Sequence, residues 1–220
     1  MIKCCIFDLD GTILDTLSTL THFVNVTLQN HGISEITEDE CRYFVGDGAK
    51  NLIERALKSK GIVDEQLRDT LFLDFIKSYN NDSLYLTRPF EGICDLLSIL
   101  KERGIALAVL TNKPHSTTEP LINHFFGGVF DIVYGAREGV SLKPDPSSAR
   151  EILHTLSISE NETAFIGDSS VDIKTGKNLG VALTVGVLWG LRDRDELEAE
   201  GADLIVSSAD QIFKAVNAYD

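Results

Sequence analysis

The chain has 220 residues, of which 43% are hydrophobic and 25% charged, and a formal net charge of −14 at pH 7. This composition is typical of a globular protein, and the length suits one large domain or a core with a modest insertion. So negative a surface repels nucleic acid and anionic membranes, which we therefore do not expect as partners. The sequence has neither a signal-peptide pattern nor a membrane-length apolar stretch, so we expect a cytoplasmic protein.

Short apolar runs that predict buried strands recur along most of the chain. They lie at 2–7, 105–110, 131–134, 163–167, 181–186 and 202–206. Helical patterns lie between most of them and are clearest at 91–104, 144–156 and 207–216. Strands that alternate with helices predict a mostly parallel sheet covered on both faces. In the second of these helices, Asp145 is expected as the N-cap and Pro146 as the first helical residue.

One long segment interrupts the alternation of strands and helices. Residues 15–88 contain no convincing strand and instead show four helical patterns. The second pattern starts with Thr37 and Glu40 at the spacing of a capping box. We therefore expect a three-layer α/β/α core formed by residues 1–14 and 89–220, with a four-helix domain inserted at 15–88.

Two aspartates follow the first predicted strand directly. Asp8 and Asp10 stand at i and i+2, so in extended backbone their carboxylates point to the same side. Two anions at the end of a buried strand need a cation or a shared proton. A calcium loop is excluded, because aligning its glycine with Gly11 places Ile6 and Leu17 at ligand positions. Taken alone, the two acids could instead be solvated turn residues that cap a helix.

Three further polar groups lie at the end of a predicted strand or just before a helix. Asp168 and Asp172 follow one strand, another strand ends in Thr111, Asn112 and Lys113, and Lys143 precedes a helix. Each alone is explained by an ordinary cap, turn or surface residue. In an open parallel sheet, however, ligands bind at the carboxyl ends of the strands where the strand order reverses. If the first strand is central, with the next two on one side and the fourth on the other, these groups indicate a site for magnesium and a phosphoryl group.

At this point the sequence resembles the haloacid dehalogenase superfamily over nearly its whole length. The matching motifs appear in the family's order: "DLDGT" (8–12), "LTNK" (110–113), "LKPDP" (142–146) and "GDSSVD" (167–172). The resemblance implies a Rossmann-like core with a helical C1-type cap. Within the family, two stretches are most similar to phosphoglycolate phosphatases: "FVGDGAKNLIERAL" (44–57) and "WGLRDRDELEAEGAD" (189–203).

The resemblance implies catalytic and metal-binding roles for the acids. Asp8 matches the nucleophile, which becomes an aspartyl-phosphate and also binds magnesium. Asp10 matches the general acid and base, and its backbone carbonyl would be a further metal ligand. Asp168 would be a metal ligand, and Asp172 a metal or outer-shell partner. Dehalogenases and phosphonate-cleaving relatives lack the second aspartate, so Asp10 favours phosphate-ester chemistry.

The resemblance also implies roles for the remaining motif residues. Thr111 and Asn112 would bind the phosphoryl oxygens, and Lys143 would neutralise charge on Asp8 and the phosphate. Gly11 is expected beside the substrate, and Arg55 is the cap residue expected to bind a substrate carboxylate.

Together these features predict a Mg²⁺-dependent phosphomonoesterase for a small phosphorylated metabolite. Phosphoglycolate is the leading substrate, and the protein would be a monomer or homodimer. A pyrophosphatase, a nucleotidase or a sugar-phosphate mutase would use the same scaffold. A catalytically inactive binding protein is the alternative from a different class.

Overall fold

The computed structural model describes residues 1–219. Its strands are β1 Cys4–Phe7, β2 Leu14–Asp15, β3 Arg88–Pro89, β4 Ala106–Pro114, β5 Ile132–Ala136, β6 Thr163–Gly167, β7 Leu183–Val187 and β8 Leu204–Val206. Six of them form one sheet in the order β5-β4-β1-β6-β7-β8, in which every neighbouring pair is parallel. The short strands β2 and β3 pair with each other in antiparallel fashion.

The strand order has β1 in the middle, which is the condition under which the sequence indicated a shared site. β4 and β5 lie on one side of β1, and β6 lies on the other. Phe7 pairs with Val109 of β4 and with Ile166 of β6, so the three strands end at the same edge of the sheet. This register brings the polar residues after β1 and β6 close to those in the last part of β4.

The helices alternate with the core strands, except for four that follow β2. They are α1 Leu17–Asn30, α2 Glu38–Phe44, α3 Ala49–Ser59, α4 Glu65–Asn81, α5 Ile93–Glu102, α6 His115–Phe126, α7 Ser147–Leu156, α8 Ser170–Leu179, α9 Arg194–Ala199 and α10 Ala209–Asn217. We call α1–α4 the cap helices. Their number matches the prediction, and the capping box of Thr37 and Glu40 at the start of α2 is confirmed.

The start of α7 differs from the prediction by one residue. The helix begins at Ser147, and Pro146 occupies the position before it. Pro146 is thus the N-cap, and the prediction of Asp145 as N-cap was wrong by the same one residue. Asp145 lies outside the helix, where its Oδ1 accepts a hydrogen bond from the free Ser147 N–H at 2.9 Å.

Three hydrophobic clusters divide the buried residues by location. Cys5 and Phe7 of β1 belong to the cluster on one face of the sheet, and Cys4 and Ile6 belong to the cluster on the other. This alternation is the period of two expected for a strand buried on both faces. The third cluster fills the space between the cap helices and also receives Leu191 from the core. Within residues 1–219, none of the helices combines the length and apolar character needed to cross a bilayer.

Candidate active site

A cavity of about 50 Å³ lies between the carboxyl edge of the sheet and the cap helices. Six of the sequence-predicted site residues line it, namely Asp8, Asp10, Thr111, Asn112, Lys143 and Asp168. Its opposite wall comes from the cap and is largely apolar, with Leu20, Val45, Gly46, Gly48, Ala49, Leu52, Phe75, Ile76 and Tyr79. The fold thus brings residues that are far apart in sequence to one enclosed space.

Asp8 and Lys143 form a buried ion pair at the bottom of the cavity. The Asp8 N–H donates to the carbonyl of Ile166 at 2.9 Å, which continues the pairing of β1 with β6 for one residue. Lys143 Nζ lies 2.7 Å from Asp8 Oδ1 and 2.6 Å from Asp172 Oδ1. Burial raises the pKa of Asp8 to about 7, and Lys143 opposes the rise. Burial alone would lower the pKa of Lys143, but Asp172 and Asp8 hold it above its ordinary value.

Two further buried carboxylates lie beside Asp8. Asp168 accepts hydrogen bonds from Thr12 Oγ1 at 3.1 Å and from the Leu191 N–H at 2.7 Å. Asp172 Oδ2 accepts from the Ser169 N–H at 3.0 Å and from Ser169 Oγ at 2.7 Å, which caps α8. Burial, followed by the charges of Asp172 and Asp8, raises the pKa of Asp168 well above its ordinary value.

These three acids fit a divalent cation. Oxygen atoms of Asp8, Asp168 and Asp172 all lie within 4.8 Å of one another, and all three residues are buried. Lys143 is the ammonium group that contacts Asp8 and Asp172, so a single positive charge faces three carboxyl groups. Hard divalent cations prefer carboxylate oxygens, and such a cation would offset their negative charge.

The Asn112 side chain holds the backbone of Lys143. Its Oδ1 accepts a hydrogen bond from the Lys143 N–H at 2.8 Å, and its Nδ2 donates to the Lys143 carbonyl at 3.1 Å. Nδ2 also donates to the carbonyl of Gly46 in the cap at 3.0 Å. Thr111, the preceding residue, is buried and lines the cavity. Asn112 therefore positions Lys143 and joins the core to the cap, which the sequence did not suggest.

Lys113 is a cavity residue to which sequence reasoning assigned no role. Its Nζ lies 3.0 Å from Asp10 Oδ1 and 3.2 Å from Oδ2, and Thr16 Oγ1 donates to Asp10 Oδ1 at 2.7 Å. Burial alone would lower the pKa of Lys113, but Asp10 holds it above its ordinary value, so Lys113 stays cationic. The sequence indicated that Lys113 could reach the site, because it stands at i+2 from Thr111 in a strand and so faces the same side.

Three of the predicted site residues, Gly11, Arg55 and Asp172, do not line the cavity. Gly11 has φ +85°, and a Cβ there would lie 2.4 Å from Asp168 Oδ2, so glycine allows the backbone to approach this carboxylate. The Arg55 guanidinium pairs with the Asp47 carboxylate and donates to the carbonyl of Phe44 at 2.8 Å. Arg55 therefore contacts the segment that connects α2 and α3. Its role in substrate binding stays a prediction.

The loop of residues 188–193, which follows β7, joins the acids to the cap. Leu191 contacts Asp168 through its N–H and packs its side chain into the cap cluster. Arg192 donates to the carbonyls of Arg42 and Val45 at the end of α2, the second at 2.7 Å. Arg42 in turn donates to the carbonyl of Gly190 at 3.1 Å. This loop therefore contacts both a candidate metal ligand and the cap.

Comparison with known proteins places the chain in a family. The family of haloacid dehalogenase-like hydrolases matches residues 5–186. Phosphoglycolate phosphatase 1 of Pseudomonas aeruginosa is 34% identical over 192 residues, covering 84% of this chain and 70% of that protein. The phosphoglycolate phosphatase of Rhodospirillum rubrum is 33% identical over 193 residues, covering 84% and 79%. A crystal structure from Lactobacillus delbrueckii subsp. bulgaricus has a TM-score of 0.92 and 30% identity, covering 97% and 98%. The chain belongs to the haloacid dehalogenase-like hydrolase family.

Proposed function

We propose that this protein is a Mg²⁺-dependent phosphatase that hydrolyses phosphoglycolate through an aspartyl-phosphate at Asp8. The observation that carries the proposal is the buried group of Asp8, Lys143, Asp168 and Asp172, of which the first three line the cavity beneath the cap. The phosphoglycolate phosphatases among the relatives support the choice of substrate.

Asp8 has the environment that a nucleophile needs. Its Oδ1 accepts from Lys143 Nζ, while its Oδ2 accepts no hydrogen bond from the residues that the structure describes. Oδ2 is therefore available to attack phosphorus. Because a carboxylate and a phosphate dianion repel each other, the ammonium of Lys143 lowers the barrier by offsetting charge on both. Thr111 and the backbone of Asn112 line the same cavity and would bind the phosphoryl oxygens.

Asp8, Asp168 and Asp172 would hold the magnesium ion, together with the backbone carbonyl of Asp10. When bound, the ion supplies positive charge at the phosphoryl oxygens. The tight enclosure of Asp168 by Thr12 and the Leu191 N–H fixes the direction of its carboxylate. Such outer contacts orient metal ligands in many sites.

Asp10 would move the protons of the two steps. In the first step it donates a proton to the leaving alkoxide as Asp8 Oδ2 bonds to phosphorus and the ester bond breaks. In the second it takes a proton from the water that attacks phosphorus, which releases phosphate and restores Asp8. Thr16 and Lys113 contact Asp10 and hold its carboxylate at the cavity.

The cavity supports a small substrate. Its volume is about 50 Å³, and about 10–15 Å³ of this measure holds one water molecule. With the cap in this position, the cavity thus holds about three to five water molecules, which favours a small substrate. The apolar wall of the cap keeps bulk water from the reacting groups, which strengthens the electrostatic interactions there.

The test is phosphate release from a panel of esters, each measured with magnesium and with EDTA. The panel contains phosphoglycolate, p-nitrophenyl phosphate, pyrophosphate, nucleotides and hexose phosphates. We expect metal-dependent turnover with the highest kcat/KM for phosphoglycolate. A preference for pyrophosphate or nucleotides would mean that one of these, and not phosphoglycolate, is the substrate. Isomerisation of a hexose phosphate would indicate a mutase. No turnover of any ester by the folded, magnesium-bound protein would indicate a binding protein and contradict the proposal.

A further inference from the structure

Among the described residues, three basic side chains line the cavity. They differ in the hydrogen bonds and ion pairs that they already form. Lys143 contacts Asp8 and Asp172, where the phosphoryl group is expected. The Arg192 guanidinium donates hydrogen bonds to carbonyls at the end of α2 and also pairs with Glu196 at 3.3 Å. Lys113 pairs with Asp10 alone among the acids.

The surroundings of Lys113 suit a second anionic group. An ammonium has three N–H donors, and the two oxygens of Asp10 take at most two of them. Lys113 Nζ lies 4.4 Å from the centre of the Tyr79 ring, a cap residue on the cavity wall. The Tyr79 hydroxyl is buried beside Lys113 and Thr87, but it makes no hydrogen bond of good geometry with the residues that the structure describes. Buried polar groups are normally paired, so this hydroxyl is a second candidate contact for a ligand.

We propose that Lys113 recognises the carboxylate of the substrate and makes the site selective for phosphate esters of short 2-hydroxy acids. This inference rests on the proposed phosphatase function and names the residue that would determine its specificity. It also assigns to the core a role that the sequence had assigned to Arg55 in the cap.

Distances around Asp10 support this assignment. The ester oxygen of the substrate must come within hydrogen-bond reach of Asp10, about 2.6–3.2 Å, to receive its proton. Lys113 Nζ is itself 3.0 Å from Asp10 Oδ1. In a 2-hydroxy acid, a single carbon separates the ester oxygen from the carboxylate. A carboxylate so close to the ester oxygen is within the range of Nζ, whereas one on a longer chain is carried towards the apolar cap.

The apolar wall makes a cationic partner necessary. Phe75 and Ile76 of α4 face the cavity, so a substrate carboxylate there would lose its hydration without gaining a polar partner from them. An unpaired buried charge is strongly unfavourable. Lys113 is cationic, has a side chain only 4% exposed and is already directed to the position of the leaving group. Lys113 therefore provides the positive charge for the substrate carboxylate that the apolar wall does not provide.

The experiment compares 2-phosphoglycolate with ethyl phosphate, an ester of similar size that lacks the carboxylate. The measured quantity is the ratio of the two kcat/KM values, in wild type, Lys113→Met and Lys113→Gln. The glutamine variant retains an N–H donor for Asp10 and so keeps a folded variant available if the methionine variant fails to fold. The control is Lys214→Met, which removes an exposed lysine of α10 that pairs with Asp210. Thermal unfolding of each variant is recorded alongside.

We expect wild type to favour 2-phosphoglycolate and the Lys113 variants to lose about 10-fold or more of that ratio, since a charged hydrogen bond is removed for one ester only. Lys214→Met should keep the wild-type ratio. If the Lys113 variants lose activity on both esters equally, Lys113 only orients Asp10, and the inference fails while the phosphatase function stands. If wild type hydrolyses both esters equally well, there is no carboxylate recognition and the inference fails. If wild type hydrolyses neither, the proposed function itself fails.

Discussion

At the level of single residues, two glycines enclose the carboxyl group of Asp168. A Cβ at Gly11 would lie 2.4 Å from Asp168 Oδ2, and a Cβ at Gly190 would lie 2.3 Å from Asp168 Cβ. Real Cβ atoms do not approach other atoms so closely, so a side chain at either position must displace Asp168. The direction of this carboxylate therefore depends on the absence of side chains at two neighbouring positions.

We predict that Gly11→Ala lowers kcat/KM by at least about 10-fold, because the misplaced Asp168 no longer fits the site. Gly61→Ala is the matched control, since Gly61 also has positive φ but nothing lies within 4 Å of its Cβ position. Both variants incur the backbone cost of about 1–2 kcal/mol in the left-handed region. Thermal unfolding measures the loss of stability from the backbone, and steady-state kinetics measures the loss of activity from the displaced Asp168. Equal loss of activity in both variants would contradict the steric explanation.

A second prediction concerns the charge of Asp168. In Asp168→Asn, the increase in melting temperature caused by magnesium should shrink, because one charged oxygen ligand is lost. The metal-free variant should melt no lower than metal-free wild type, because the substitution also removes repulsion from Asp172 and Asp8. Asp210→Asn, an exposed change in α10, is the control. An unchanged response to magnesium in Asp168→Asn would mean that Asp168 does not bind the ion.

The side-chain period of strands accounts for much of what could be predicted about single residues. It placed Asp8 and Asp10 on one side of the chain, and both line the cavity. Applied to Thr111, it would also have found Lys113. It could not identify the partner of Lys113, because Asp10 is 103 positions away in sequence and the pair exists only after β1 and β4 align.

At the level of elements, the loop of residues 188–193 is the link between core and cap. The carbonyls that Arg192 contacts belong to the last turn of α2, where the helix leaves them without internal partners. A guanidinium satisfies these groups and also complements the negative end of the helix dipole. The cap is thus held over the cavity by a residue of the core.

We predict that Arg192→Ala raises KM and increases hydrogen exchange in α2, because the cap closes less firmly. The control is Arg194→Ala, two positions along, whose exposed side chain pairs with Glu198 within the same helix. Because Arg192 contacts backbone atoms of the cap, its loss should leave exchange in the central strands unchanged. Wild-type exchange in α2 together with wild-type KM would show that Arg192 does not hold the cap.

Elements with strong periodicity were predictable, and elements defined by pairing were not. The four cap helices follow from their apolar spacing. The sequence of α6 gave no clear helical pattern, and this helix contains Pro120 in its interior. The apolar run of β4 covers only residues 105–110, with the polar residues of the site at its end, whereas the strand continues to Pro114. Pro114 pairs with Ala136 after a shift in register, a contact that depends on another strand and not on local sequence.

At the level of the whole molecule, the site exists because a central parallel strand and an insertion after it meet at one edge. The alternation of strands and helices predicts a parallel sheet, but it does not by itself place β1 at the centre of that sheet. The position of the cap over the cavity is not predictable from sequence either, because it depends on contacts such as Asn112 with Gly46 and Arg192 with Val45. These contacts join residues more than sixty positions apart, and neither partner has a local signal. The predicted domain limits at 15–88 stay a prediction.

The most direct test of this account is phosphate release from phosphoglycolate by wild type and Asp8→Asn, each with magnesium and with EDTA. Asp74→Asn, an exposed acid of α4 that pairs with His31, is the matched control. We predict that wild type and Asp74→Asn turn over only with magnesium, and that Asp8→Asn loses roughly 10³-fold or more of kcat while still folding. Near-normal turnover by Asp8→Asn, or full activity of wild type in EDTA, would contradict the account.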